Sequence, residues 1–141
     1  MAIVAVRNIE VVVRTRNEHC PPHVHADCTQ DGWDARFKFS FLDDDVSFWD
    51  VRAKQKTPTV ATLNQVGAAI YEELAVIRKR WWEVKATTCL DNAFVYLSGK
   101  SMALRDTRLR DAVQVVRASY DPSRSELFLE LADGTNHVQT L

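Results

Sequence analysis

The chain has little that would staple it together or advertise its chemistry. Three of its 141 residues are cysteine, an odd number too small for a disulfide framework, although Cys20 and Cys28 are near enough in sequence to meet locally. Glycine and proline number four each. No Gly-rich nucleotide loop, no GxSxG elbow and no HExxH occurs, which sets aside three common kinds of active site. No apolar run approaches the roughly 20 residues of a membrane helix. The apolar start, MAIVAVRNIEVVV, is broken by Arg7 and Glu10, unlike a secretory signal. A cytoplasmic protein with no membrane partner is therefore expected. Net charge is missing as well: 18 Lys and Arg oppose 19 Asp and Glu, so no global field points to nucleic acid or to a basic partner. Repeats, low-complexity tracts and long Gly/Ser linkers are absent.

What is there suits one compact core: 46% hydrophobic and 26% charged residues are the balance of a folded globular chain. The charge is polarised along the sequence, with five basic and nine acidic side chains in residues 1–50, eight and four in 51–100, and five and six in 101–141. Period-two alternation predicts strands over Ile9–Arg16 and, most clearly, over Trp33–Leu42. In the second, Trp33, Ala35, Phe37, Phe39 and Phe41 take one face and Asp34, Arg36, Lys38 and Ser40 the other. The Asp31-Gly32 turn pairs this strand with His23–Thr29 as a hairpin, and Val46–Val51 adds a further strand. From Val60 the period changes. Val60, Leu63, Gly67, Ile70, Leu74, Ile77 and Trp81 line one side of a helix predicted over about 58–82, started by Thr57-Pro58-Thr59. Arg78, Lys79 and Arg80 then fall in its last turn, where they complement the macrodipole. Thr87–Leu97 reads as a strand and 98–111 as a loop or short helix. Strand-like runs at 112–120, 126–131 and 135–141 form a small meander. The expected architecture is α+β: an antiparallel sheet packed on one long amphipathic helix, with a C-terminal β meander. Its parts are a unit over 1–97, a connector over 98–111 and the meander over 112–141.

Chemistry concentrates in NEHCPPHVHADC, residues 17–28, which holds three of the four histidines. In an extended backbone His23, His25 and Asp27 share a face, and Pro21-Pro22 stiffens the approach of His19 and Cys20. Imidazoles so placed either bind a divalent transition metal such as zinc, nickel or iron through His19, His23 and His25, or exchange protons near neutral pH, or simply fix structure. Arg36 and Lys38 on the neighbouring strand are the cations that would hold phosphate beside His23 and His25. For macromolecular binding, Arg78, Lys79 and Arg80 with Trp82 offer charge and stacking. Asp43, Asp44 and Asp45 offer an acidic counterpart, against the simpler reading of a solvated turn. His137 reads as an exposed side chain.

The HCPPHVH core after a strand, followed by WDARFKFSF and an amphipathic helix ending in Trp, resembles the small bacterial family called domain of unknown function 4160, over roughly residues 5 to 85. His19, Pro21, Pro22, His23 and His25 match that motif. The last third, with VQVVRASYD, ELFLELADGT and a terminal strand, is similar to domain of unknown function 2442. The two families are often genomic neighbours described as toxin and antitoxin pairs. The resemblance thus implies a small bacterial or phage protein of toxin–antitoxin or host-conflict type that binds a macromolecular partner. A protein partner, RNA and a second copy of the chain are the expected candidates. The alternative is a histidine-dependent ribonuclease or metal-assisted hydrolase.

Overall fold

The computed structural model describes residues 2–105 and 110–141. The chain is mostly β, folded as two five-stranded antiparallel sheets with two short helices between them in sequence. The first sheet is a plain meander of β1 (Val4–Val6), β2 (Ile9–Val12), β3 (His23–Cys28), β4 (Trp33–Phe39) and β5 (Val46–Ala53). Its central hairpin turns at Gly32, whose φ of 72° suits a residue without a Cβ. Register follows the alternation. Val24 opposes Phe37, Ala26 opposes Ala35 and Cys28 opposes Trp33 on the core face, while His23 opposes Lys38 and His25 opposes Arg36 on the other. The β4–β5 register shifts between Arg36 and Phe37, where Asp50 and Phe48 are the partners and Trp49 is the extra residue. Such a bulge re-aims a side chain, and here it delivers Trp49 to the polar face.

The single long helix is overturned. Its place is taken by α1 (Val60–Glu72) and α2 (Leu74–Lys85), which divide at Glu73. Glu73 donates its N–H to the Ile70 carbonyl, an i−3 bond that tightens the last turn of α1. No proline or glycine marks the spot. The apolar stripe runs on through Val66, Ile70, Leu74, Ile77 and Trp81, all buried, but Val60 is exposed. Thr59 caps α1 by accepting from the Thr62 N–H at 3.1 Å. Because α2 continues to Lys85, Arg78, Lys79 and Arg80 lie mid-helix rather than in a last turn. No helix among the described residues is long and apolar enough to cross a membrane.

The second sheet has the order β10-β9-β8-β6-β7, from β6 (Phe94–Ser98), β7 (Ser101–Arg105), β8 (Val113–Asp121), β9 (Glu126–Leu131) and β10 (Asn136–Thr140). The meander expected at the C-terminus is thus three-fifths of a larger sheet, and Ser101–Arg105 is a strand where a loop or short helix was expected. Residues 106–109 of the expected connector lie outside the described residues. Of Thr87–Leu97, only the part from Phe94 is strand. One core joins both sheets and the helices. Phe41 packs edge-on against Tyr120 at 5.0 Å, and the buried Gln139 amide bridges the sheets by donating to the Leu42 carbonyl and accepting from the Met102 N–H.

Candidate functional site

The polar face of the first sheet is not left to solvent. The connection from β2 to β3 folds back over it, turning at Asn17, whose φ of 58° is one that asparagine tolerates. That turn brings the Glu18 carboxylate down onto His23 and His25, and none of the three side chains is more than 7% exposed. The His23 Nδ1–H donates to the Pro21 carbonyl at 2.8 Å, and His25 Nδ1 lies 3.3 Å from Asp34 Oδ1. Each ring thereby turns its Nε2 toward Glu18: His25 Nε2 lies 3.0 Å from Oε1, and His23 Nε2 contacts Oε2. The imidazole centroids are 5.3 Å apart.

This arrangement has a deficit. A neutral imidazole carries one N–H: His23 spends it on the Pro21 carbonyl, and a neutral His25, set between Asp34 and Glu18, can give it to only one of those carboxylates. The His23 Nε2 lone pair then faces the Glu18 carboxylate, acceptor against acceptor, at a trio of largely buried side chains. Adding protons is disfavoured at His23, whose pKa is lowered first by burial and also by the neighbouring His25, against the raising pull of the Pro21 carbonyl and Glu18. A shared cation removes the conflict. One ligand atom from each of Glu18, His23 and His25 lies within 4.8 Å of the others, and two imidazoles with one carboxylate suit zinc and the neighbouring transition metals. Asp34 and the Pro21 carbonyl are the outer partners that fix ring orientation in metal sites of this kind.

Beyond the triad the floor is a lattice of ion pairs. Arg14 bridges Asp27 and Asp34 at 3.0 and 3.2 Å. Burial raises the Asp27 carboxyl first, Arg14 pulls it back down, and Asp34 pushes it up again. Arg36 grips Asp50 with two nitrogens and stacks 4.0 Å over the Trp49 ring. Its hydrogen bond is the main reason the Asp50 carboxyl sits below the usual range. Above this floor opens a cleft of about 430 Å³, whose lining includes His23, His25, Arg16 and Arg52. Among the described residues neither Arg16 nor Arg52 is in an ion pair.

The sequence-predicted residues part company here. His23 and His25 converge at the heart of the site. Arg36 lines the cleft but is committed to Asp50, and Lys38 stands 5.4 Å from Trp49. His19, expected as the third ligand, is exposed, with Nδ1 on the adjacent Cys20 carbonyl; Glu18 takes its place. The expected basic patch is not assembled as a surface. Arg78 is 3% exposed and donates to the Ser40 and Asp43 carbonyls and to Asp44, Lys79 is exposed, and Arg80 stands 3.9 Å from Glu83. Trp82 is half-buried against Tyr120. Asp43 and Asp44 thus serve Arg78, and Asp45 closes an Asx turn by donating its N–H to Asp43 Oδ1. His137 is half-buried, its Nε2 enclosed without a partner, where an exposed ring was expected.

Cys20 pairs with Cys89, 69 residues away, not with Cys28, which is free and buried in β3. Sequence reasoning passed over Glu18, Asp34, Asp50, Trp49, Arg16 and Arg52. Glu18 had a signal, since it precedes the histidine cluster directly, and Asp34 had another in sharing the polar face of β4. Trp49 and the two arginines had none. Compared with known proteins, the chain matches no protein-family model, no curated protein and no solved structure.

Proposed function

We propose that the cleft is a metal-dependent hydrolytic centre acting on phosphodiesters, with RNA as the substrate, in a small cytoplasmic protein of toxin–antitoxin or host-conflict type. The observation that carries it is the convergence of His23 Nε2, His25 Nε2 and the Glu18 carboxylate, one ligand atom from each lying within 4.8 Å of the others. Three protein ligands leave positions for water on a divalent ion, and the ion lowers the pKa of that water toward neutrality. With an ion held by Glu18, His23 and His25, the water it activates would attack phosphorus, one P–O bond forming as the bond to the leaving ribose oxygen breaks. The leaving oxygen takes a proton from solvent. Arg16 and Arg52, which line the cleft and are in no ion pair among the described residues, would meet the charge on the non-bridging oxygens. The toxin-like setting rests on the HCPPHVH resemblance, and a protein partner that covers the cleft would silence such an activity.

The test joins metal analysis of protein purified without chelator to cleavage of a ribo-oligonucleotide. The expected result is about one zinc-class ion per chain and cleavage lost on chelation and in His23→Ala and His25→Ala. Arg52→Ala and Arg16→Ala should each raise KM about tenfold, the worth of one charged hydrogen bond. Cleavage that survives complete chelation would return the imidazole pair to metal-free acid–base chemistry. No bound metal and no cleavage with added Zn²⁺, Mn²⁺ or Ni²⁺ would remove the hydrolase reading altogether.

A further inference from the structure

The segment that carries Glu18 is poorly tied to the rest of the molecule. Among the described residues, no backbone hydrogen bond outside the strands reaches residues 13–21; the first beyond them is the Pro22 carbonyl accepting from the Phe39 N–H at 3.1 Å. Arg14 anchors one end through Asp27 and Asp34. At the other end, two residues after Glu18, the anchor is the disulfide from Cys20 to Cys89. Cys89 sits in a segment that is well held. The Thr87 carbonyl accepts from the Trp81 indole at 3.0 Å, the Cys89 N–H donates to Thr87 Oγ1 at 3.0 Å, and Thr88 and Leu90 on either side are buried. His23 and His25, by contrast, need no such help, because β3 is hydrogen-bonded on both sides within its sheet. Two of the three ligands are thus set by the sheet and the third by a covalent tie to another part of the core.

We infer that the Cys20–Cys89 bond is a redox-set clasp on the metal ligand Glu18: oxidised, it holds the carboxylate against the two imidazoles, and reduced, it frees the loop and weakens the site. The inference rests on the metal reading above and adds its regulation. A dithiol reductant supplies two electrons and two protons. The Cys20–Cys89 bond breaks to two thiols while the reductant closes its own disulfide. Cytosolic thiol pools keep such bonds reduced and leave them transient and redox-sensing, so in the cytoplasmic setting proposed the clasp closes under oxidising conditions. Losing the fixed position of one ligand out of three is expected to weaken metal binding about 10- to 100-fold, the range for loss of a supporting group around a metal.

The experiment titrates Co²⁺ into the oxidised full chain and into the Cys20→Ser/Cys89→Ser variant, each with and without Glu18→Gln, reading the visible spectrum and the affinity. The expected pattern is non-additive. Glu18→Gln costs 10- to 100-fold in the oxidised protein and little in the serine variant, whose Co²⁺ spectrum already resembles that of the two-histidine site. Should the serine variant not fold, the wild type is loaded with Co²⁺ first and then reduced with a phosphine, and faster metal loss is expected. Equal affinity and an equal Glu18→Gln penalty in both backgrounds, or unchanged metal loss on reduction, would overturn the clasp and leave the metal site standing. Absence of Co²⁺ binding in the oxidised chain would overturn both.

Discussion

The two sheets share a strand count and an antiparallel plan, yet they differ in how their outer faces are covered, and the first gathers a cluster of titratable side chains into a cleft. In the second sheet one face supplies core residues, with Val95, Val115, Leu127, Leu129 and Leu131 buried, and the other is left open with Val116, Phe128 and Val138 at 54%, 40% and 51% exposure. The first sheet buries both faces across β3, the second under the loop that brings Glu18. Covering a polar face favours pairing of the charges on it, and this one holds the half-exposed Arg14–Asp27–Asp34 and Arg36–Asp50 pairs beside the buried Glu18, His23 and His25. Glu18, His23 and His25, whose ligand atoms converge there, are the group that could hold a cation. The titratable cluster here is a consequence of how a face is covered, not of how its strands are ordered.

The sharpest way to break the contrast is to make the first sheet resemble the second. A triple variant with Glu18→Gln, His23→Leu and His25→Leu should lose metal binding and any hydrolysis by more than about 100-fold, yet keep its circular dichroism spectrum, since apolar replacement of a whole buried polar cluster is often neutral or stabilising. The reverse probe is Leu129→Ala in the second sheet. Denaturant unfolding should show a loss of about 2–5 kcal/mol, while metal affinity of the folded fraction stays unchanged.

Acid should separate the sheets as well. His23 has a folded pKa below its unfolded value of 6.5 because of burial. Its contribution is complete above pH 6.5 and is lost as pH falls from there through the folded value. The second sheet's Asp121 and Asp133 are held below 3.8 by the turn residues Ser123 and Thr135, so their contribution fades only below about pH 4. Hydrogen exchange on metal-free protein is expected to show the first sheet loosening as pH falls below 6.5 while the second remains protected down to about pH 4; simultaneous loosening would deny the difference. Asp50 in the first sheet follows the carboxylate pattern, its pKa being held down by Arg36, and Asp50→Asn should matter only above its folded pKa. The smallest effect belongs to the open face. Phe128→Ser and Val138→Thr should each shift stability by roughly 0.5 kcal/mol or less.

Much of the first sheet was legible because its information is local. Alternation over Trp33–Phe39 and the Asp31-Gly32 turn define the hairpin, and spacing by two puts His23 and His25 on one side of β3. Short strands at the margins, β1 and β7, carry too few residues for alternation to register. The break at Glu73 was hidden because the apolar stripe passes straight through it. Residues 98–111 read as a loop because their turn signals outweigh the five-residue strand within them. The second sheet went unrecognised because pairing β6 with β8 joins segments that no local pattern connects.

The sequence alone determined which residues alternate, where the central hairpin turns, and that a pair of imidazoles shares one side of a strand, since each follows from backbone geometry over a few residues. Only the tertiary structure decided that Glu18 and not His19 completes the site, that Cys20 reaches Cys89 instead of Cys28, and that Arg78 serves the core and not a surface. Those outcomes depend on where a loop folds back and on contacts between segments tens of residues apart, and the pairing of buried charge is settled by proximity in space, which spacing along the chain does not encode.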